Sequence, residues 1–399
     1  MSKIDDLIAK LCPNGVEYKT LGNCITKNIG GGTPSRSNPD YWDGDILWAS
    51  VGDLSVPGKF IHTTRAKITS EGLKNSPSNI ISRGDVIVAV KISPGKMKIA
   101  AEDIAINQDL RGLSLYEFID NSFLIYYFQT ISIIGNGTIV KGITTETLER
   151  ICIPVPPLEI QREIVNVLDT FTKLEAELEA ELEARRRQYN YYRDQLLNFE
   201  GRDDVQWVTL GEVATFKYGY TAKALDSGFL RFIRITDITP EGKLSSCNAK
   251  YIKSNEDCLN YLVKKGDILM ARTGATYGKT LLINENISAV YASFLICIKT
   301  NNSIMLPDYY WHFAQSNFYW KQVNSMVSMG GQPQFNANVL KNIHIPVPPL
   351  EEQTRIVAIL DKFDALVNDL SSGLPAEIAA RRKQYEYYRD RLLTFKEAQ

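Results

Sequence analysis

Two stretches of the chain carry apolar and aromatic residues at alternating spacings of three and four positions, within residues 158–200 and 350–399. This spacing is typical of a coiled-coil helix, since it keeps a narrow apolar stripe on one side. A helix of about 42 residues is roughly 60 Å long, more than one globular domain needs. The residues that we expect at the helix pairing and partner interface are Leu168, Phe171, Leu178, Leu182, Tyr189, Tyr192, Leu360, Phe363, Tyr385 and Tyr388.

These two stretches are copies of one another. The segment Ile153–Glu159 recurs as Ile345–Glu351, and a later match of Tyr189 with Tyr385 shows four extra residues in the second copy. The economical partner for each stripe is the other helix, so we expect an antiparallel pair. Two helices that each pack on their own domain are the alternative. Gly373 and Pro375 predict a break near Leu374, because proline removes a backbone donor and clashes with the preceding turn.

The segments between the copies have a different pattern. Short apolar runs, rich in β-branched and aromatic residues and separated by turn residues, predict strands at residues 45–49, 85–90 and 229–235. Helical patterns near 121–132 and 306–325 make the class α+β. We therefore expect two α/β domains joined by two long antiparallel coiled-coil helices, with an internal pseudo-twofold duplication. The predicted boundaries are 1–157 and 201–349 for the domains, and 158–200 and 350–399 for the spacer helices.

Basic residues concentrate in both domains around a Gly-Asp strand and the loop after it. Residues 83–98 and 264–279 each hold four basic residues and one aspartate, in a chain of net charge −1. Such a patch is usually a solvated face, but its recurrence at equivalent places favours a surface for DNA phosphates and base edges. The candidate DNA-binding residues are Arg36, Lys91, Lys96, Lys98, Lys141, Arg234, Arg272, Thr273, Tyr277, Lys279, Gln332 and Gln334.

Composition narrows the class of protein. With 44% hydrophobic and 23% charged residues, the chain resembles an ordinary soluble protein. No stretch approaches the roughly 18 apolar residues of a membrane span, and we expect no signal peptide and a cytoplasmic location. The six cysteines form no CxxC pair and the three histidines lie far apart, so we predict reduced cysteines and no metal site.

Three catalytic patterns fail. No dinucleotide or nucleotide-triphosphate loop occurs. The segment Asn38–Tyr41 departs from the Asn-Pro-Pro-Tyr box of amino-methyltransferases at Asp40, and a turn before a strand is the simpler interpretation. Asp237, Glu241 and Lys243 only loosely match a nuclease motif, within what looks like a hairpin turn. We predict no catalytic residues in this chain.

Three features of the sequence indicate one family. They are the Pro-x-Pro-Pro-Leu-Glu-x-Gln tract before each long helix, the Arg-Arg-x-Gln-Tyr-x-Tyr-Tyr-Arg-Asp end of each helix, and the strand Gly266–Lys279. Together they resemble the specificity subunit of type I restriction–modification systems. The resemblance covers essentially the whole chain. It is weaker at residues 90–94, which differ from the Arg272-Thr273-Gly274 version in the second domain.

This resemblance implies two target recognition domains that each read one half of a split double-stranded DNA target. It implies a complex with two modification (methyltransferase) subunits, and with two restriction subunits for cleavage. S-adenosylmethionine, ATP and Mg²⁺ are then expected on those partners, and no cofactor on this chain. The alternative function is a non-catalytic scaffold whose α+β domains bind a partner other than DNA.

Overall fold

The computed structural model of the chain describes residues 3–135, 142–326 and 335–398. It divides into two compact units. The first unit contains residues 1–177 and 379–399, and the second contains residues 178–378. Each unit therefore combines one recognition domain with the beginning of one spacer helix and the end of the other. Among the described residues, no helix has the length and apolar character required to cross a membrane.

The first unit is built mainly from short strands. Its strands are β1 (Tyr18–Thr20), β2 (Ile25–Gly30), β3 (Trp42–Ala49), β4 (Phe60–Ile61), β5 (Ala66–Ile68), β6 (Asn79–Ile81), β7 (Val86–Ala89), β8 (Met97–Ala100), β9 (Ile104–Ile106), β10 (Leu110–Leu115) and β11 (Cys152–Pro154). Its shorter helices are α1 (Lys3–Leu11), α2 (Ser70–Lys74), α3 (Asn121–Phe128) and α4 (Thr145–Glu149). The long helix α5 (Leu158–Leu196) begins in this unit and ends in the second.

The second unit repeats this plan. Its strands are β12 (Gln206–Thr209), β13 (Ala214–Tyr218), β14 (Leu230–Ile233), β15 (Tyr251–Ile252), β16 (Ile268–Ala271), β17 (Thr280–Leu282), β18 (Ala289–Tyr291), β19 (Leu295–Thr300) and β20 (His344–Val347). Its helices are α6 (Leu210–Val213), α7 (Glu256–Leu259), α8 (Pro307–Phe313), α9 (Asn317–Met326), α10 (Ala337–Leu340), α11 (Leu350–Asn368) and the start of α12 (Leu374–Leu392).

Sheet topology shows the duplication that the domain sequences hardly reveal. The order β2-β10-β7-β8 in the first unit corresponds to β13-β19-β16-β17 in the second. In the same way β5-β3-β9 corresponds to β15-β14-β18, and the pair β1-β11 corresponds to β12-β20. In both units the Gly-Asp strand, β7 or β16, lies between two antiparallel neighbours and is fully buried. The α+β duplication predicted from the sequence is confirmed.

The predicted strands and helices lie where the patterns indicate, with one correction. Residues 306–325 form two helices, α8 and α9, instead of one continuous stretch. The chain turns at Ser316, whose hydroxyl donates to the carbonyl of Phe313 over 2.6 Å. Serine competes with the backbone for such hydrogen bonds and so favours helix ends, a local effect that a hydrophobic pattern does not capture.

The second spacer is interrupted between α11 and α12, at residues 369–373. The carboxylate of Asp369 organises the break, because it accepts hydrogen bonds from the backbone and hydroxyl of Ser371 and from the hydroxyl of Ser372. These bonds hold the pKa of Asp369 below its usual value. Gly373 approaches the preceding turn so closely that a Cβ there would meet the Ala365 carbonyl at 2.5 Å. Glycine and proline therefore mark the break, as the sequence predicts, while α5 is continuous.

Aromatic contacts in the first unit join the beginning of α5 to the end of α12. The ring of Phe171 stacks on Tyr388 at 5.5 Å and lies 6.5 Å from Tyr385. The core beneath includes Leu168 on α5 and Leu393 just after α12. Because the start of one helix contacts the end of the other, the pairing is antiparallel.

The second unit uses the repeat-equivalent residues in the same way. The ring of Phe363 stacks on Tyr192 at 5.5 Å and on Tyr189 at 6.3 Å. Leu360 and Tyr189 are buried in the core of this unit, and Leu178 and Leu182 are half-buried. The predicted antiparallel pairing is confirmed, and in both units one phenylalanine packs against two tyrosines of the other helix.

Candidate nucleic-acid interface

The loops after the two Gly-Asp strands are built alike. We name residues 90–96 the first tip loop and residues 272–279 the second tip loop. In the first, Ala89 donates to the carbonyl of Lys96 over 2.8 Å and receives a bond from Gly95 over 2.9 Å. In the second, Ala271 donates to the carbonyl of Lys279 over 2.9 Å and receives a bond from Gly278 over 2.8 Å. The two loops are thus closed by the same pair of backbone hydrogen bonds, although the second loop is one residue longer and carries different side chains.

Two lysines of the first tip loop are exposed. Lys91 lies 3.1 Å from the carboxylate of Asp109, with about half of its side chain exposed. Lys96 donates to the hydroxyl of Ser55 over 3.0 Å. Both contacts are at the surface, where such pairs contribute little to stability and exchange readily. These ammonium groups can therefore approach a polyanion.

Lys98 is a correction to the candidate set. Its side chain lies in β8 and is 7% exposed. The ammonium donates to the carbonyl of Val56 over 2.7 Å and also to that of Gly58. Burial, together with the charge of Lys96, lowers the pKa of Lys98 below its usual value. Because two of its three ammonium N–H groups are already used inside the domain, the structure does not favour Lys98 as a DNA contact.

Arg272 dominates the second tip loop. Its guanidinium lies 5.2 Å from the ring of Tyr218 and 5.8 Å from that of Phe294. Both rings are partly exposed, and neither residue was in the predicted set. Among the described residues, Arg272 Nε and Thr276 Oγ1 are buried without a hydrogen-bond partner. Such groups are rare in native proteins and often mark a place where a ligand or water binds.

The remaining residues of the second tip loop support this arrangement. The Tyr277 hydroxyl donates to Asn324 over 3.2 Å, and its ring packs edge-on against Trp320 at 6.4 Å. Thr273 and Lys279 are half-buried. The loop therefore packs against α9 through Tyr277, five residues after Arg272. Lys141, Gln332 and Gln334 lie outside the described residues.

The two arginines predicted outside the tip loops differ. Arg36 is exposed, and its guanidinium lies 5.2 Å from the ring of Trp42. Arg234 instead forms a two-pronged ion pair with buried Asp237, over 3.2 and 3.0 Å, and donates to the carbonyl of Asn248. Arg36 keeps access to a ligand, whereas Arg234 mainly braces the turn after β14.

A similar brace in the first unit supports this structural interpretation of Arg234. Asp53 accepts hydrogen bonds from Ser50 and from the backbone and Nε of Arg65. Burial alone would raise the pKa of Asp53, but these bonds lower it below its usual value. Asp53 thus organises the turn after β3 through these hydrogen bonds, and Asp237 makes corresponding bonds to Arg234 after β14.

The alternative catalytic patterns receive structural explanations. Asn38 caps a 3₁₀ turn over Pro39–Tyr41 that leads directly into β3. Asp237 is engaged by Arg234, and Lys243 pairs with Asp364 at 2.5 Å. The described residues contain no group of three His, Cys, Asp or Glu side chains placed to hold a metal ion.

Each recognition domain is also attached to a spacer helix through partly buried polar contacts. In the first unit, the Asp169 carboxylate accepts bonds from Lys59 and from the Tyr126 hydroxyl, each at 2.5 Å. Burial and this carboxylate raise the pKa of Tyr126 well above its usual value. In the second unit, His312 Nε2 lies 2.8 Å from Asp361. The matched aspartates were visible in the repeat, but their partners lie in the diverged domains.

Comparison with known proteins agrees with this architecture. A model of the type I restriction–modification DNA specificity domain matches residues 13–184 and 202–380. Because these matches include one recognition domain each and most of the chain, the chain belongs to this family, as the sequence resemblance predicted.

Individual relatives extend the similarity over most of the chain. A putative type I restriction enzyme specificity subunit of Haemophilus influenzae is 35% identical over 297 residues, which cover 70% of this chain and 73% of that protein. The EcoprrI specificity subunit of Escherichia coli is 28% identical over 386 residues, covering 90% of each chain.

Solved structures share the fold. A chain from a structural study of the assembly and conformational transition of a type I restriction–modification system has a TM-score of 0.64 at 20% identity, with 96% of this chain and 98% of that chain covered. A type I S subunit from M. genitalium has a TM-score of 0.56 at 14% identity, with 95% and 96% covered.

Proposed function

We propose that this chain is the non-catalytic specificity subunit of a type I restriction–modification complex, and that each unit reads one half of a bipartite, asymmetric DNA target. The observation that carries the proposal is the pair of tip loops. One scaffold presents Lys91 and Lys96 in the first unit, and Arg272 with its aromatic frame in the second. Equivalent loops with unlike side chains suit two different half-sites.

The chemistry of the side chains suggests different roles for the lysines of the first tip loop and for Arg272 in the second. Lysine ammonium groups hold phosphates as point charges, which gives affinity with little sequence information. The planar guanidinium of Arg272 can donate two parallel hydrogen bonds to the edge of a guanine. Its position between Tyr218 and Phe294 restricts its rotation, so less entropy is lost when it binds.

The spacer helices are our proposed docking surface for two modification subunits, with two restriction subunits added for cleavage. Tyr191 and Tyr387, which are equivalent in the repeat, are 61% and 60% exposed. Exposed aromatic side chains at matching positions suit two copies of the same partner. S-adenosylmethionine, ATP and Mg²⁺ would be bound by those partners.

We further propose that the spacer helices set the gap between the half-sites. Deletion of Glu175–Leu178 would shorten α5 by about 6 Å, close to two base-pair steps of about 3.4 Å. Methylome sequencing of cells expressing this variant with the modification subunit should show unchanged half-sites and a shorter gap. An unchanged gap would contradict the proposal.

The reading itself is tested by exchanging one domain. Replacement of residues 201–349 by those of a relative with a different methylation motif should change one half-site and preserve the other. A change in both halves would contradict independent reading. If the complex fails to bind duplex DNA in a salt-dependent manner, the alternative of a scaffold for another partner is favoured.

A further inference from the structure

Each tip loop places one residue in the left-handed backbone region at the same distance from the strand that precedes it. Ile92, three residues after Ala89, has a φ of 67°. Gly274, three residues after Ala271, has a φ of 75°. Glycine adopts this conformation without a steric penalty, whereas a β-branched residue rarely does. The second unit therefore uses the residue that the backbone favours, and the first unit does not.

The backbone at Ile92 is a tight turn. Ser93 donates to the carbonyl of Lys91 over 2.8 Å, so Ile92 is the central residue of a γ-turn with positive φ, which is the rarer and more strained form. The turn is fixed from outside, because Val90 donates to Asp109 and accepts a bond from Ile143. Strain that the surroundings impose is typical of functional positions.

Packing does not explain the isoleucine. Its side chain is 61% exposed, so it contributes little to a core. Exposed Lys91 and Lys96 lie in the same short loop. A strained, exposed aliphatic side chain between two cationic ones is costly for folding and offers an apolar surface beside groups that hold phosphates.

We propose that Ile92 is a specificity-determining residue that contacts the C5-methyl group of a thymine in the major groove. This inference rests on the proposed DNA-reading function of the first unit. Thymine carries the one methyl group among the four bases on the major-groove edge, and aliphatic side chains recognise it by apolar contact. The flanking lysines would hold the neighbouring phosphates, and Gly274 leaves the second loop without this contact.

The test uses the complex with its modification subunits and a duplex containing the methylome-defined target. Each thymine of the half-site assigned to the first unit is replaced in turn by uracil, which removes only the methyl group. At one position the wild-type complex should bind about fourfold more weakly, the value for loss of one buried methyl-sized group. Binding that is insensitive at every position would overturn the proposal.

Two variants connect this effect to the side chain. Ile92→Gly should abolish the discrimination between thymine and uracil and should not lower the denaturation midpoint, because glycine relieves the backbone strain. Ile92→Val, which keeps a β-branched aliphatic side chain one carbon shorter, should retain part of the discrimination. If Ile92→Gly still discriminates, or if it markedly destabilises the chain, the side chain has a different or structural role.

A matched variant in the second loop supplies the control. Gly274→Ile introduces the same side chain, where a Cβ meets no atom within 4 Å. It should lower the denaturation midpoint through backbone strain and can weaken DNA binding as a whole, but the ratio of binding to thymine and uracil in the first half-site should stay at the wild-type value. A thymine-to-uracil ratio that falls to one in this control would contradict the assignment to Ile92. A wild-type complex without any half-site preference would instead refute the proposed function.

Discussion

Two repeat-equivalent glutamines should each stabilise the unit in which they lie. Gln161, on α5, is fully buried and makes three hydrogen bonds. Its Oε1 accepts from the backbone N–H of Asp120 over 2.8 Å, and its Nε2 donates to the carbonyls of Phe118 and Pro156 over 2.8 and 2.7 Å. The side chain thus joins the loop before α3 to the start of the spacer helix.

The second unit contains the same device. Gln353, on α11, accepts from Leu306 over 2.9 Å and donates to the carbonyls of Ile304 and Pro348 over 2.8 Å each. It is likewise fully buried. Two diverged domains therefore use one conserved side chain in one geometry, which makes the pair a natural internal replicate.

Replacement of Gln161 by leucine preserves most of the volume but leaves one backbone N–H and two carbonyls without these partners. Because each buried group left without its partner costs about 1–3 kcal/mol and three groups are affected, we expect a loss of at least about 3 kcal/mol in the free energy of unfolding. Urea denaturation of the full chain measures this loss, and hydrogen exchange should locate it near residues 118–120. Gln353→Leu should give a similar loss near residues 304–306.

The control is Gln195→Leu, an exposed position on the same helix. It should change the free energy of unfolding by less than about 0.5 kcal/mol. If Gln161→Leu resembles this control, the buried hydrogen bonds contribute no net stability and our reasoning is wrong. If exchange increases equally in both units, the glutamine does not act locally.

Three further predictions concern individual side chains. Lys96→Met should reduce the salt dependence of DNA binding by about one unit of slope, while Lys98→Met should leave this slope unchanged; a reversed result would contradict our correction. Arg272→Lys should weaken binding by about 1–3 kcal/mol and relax one position of the motif if Arg272 reads a base, whereas a uniform loss across sequences would indicate a phosphate contact. The Cys297 thiol, whose burial raises its pKa to about 12, should resist iodoacetamide at pH 8 under native conditions, while exposed Cys247 should react; mass spectrometry of labelled peptides gives the answer.

Much of the architecture could be predicted because the spacer helices changed little after duplication. Their stripe and their matching motifs indicate the antiparallel pair, and Gly373 with Pro375 indicates the break. The prediction of helices from the hydrophobic pattern failed at Ser316, because a side-chain hydrogen bond there ends a helix that the pattern continues.

The candidate site could be predicted only in part. The charge pattern identified both tip loops, yet it could not distinguish Lys96, which is exposed, from Lys98, which is buried two residues later. The usual alternation of buried and exposed side chains along a strand gives no help, because all four residues of β8 are buried. The aromatic partners of Arg272 come from strands and turns distant in sequence, and the strain at Ile92 is a property of backbone geometry alone.

The composition of the first unit has a consequence for its biogenesis. The core under its recognition domain includes Phe123 together with Leu393 and Phe395, and these late residues are synthesised more than 200 positions after the domain that they complete. During synthesis this cluster, which includes the apolar stripe at the start of α5, therefore stays incomplete until the end of α12 has been made. At about 5–20 residues per second, this delay is on the order of 10–50 seconds.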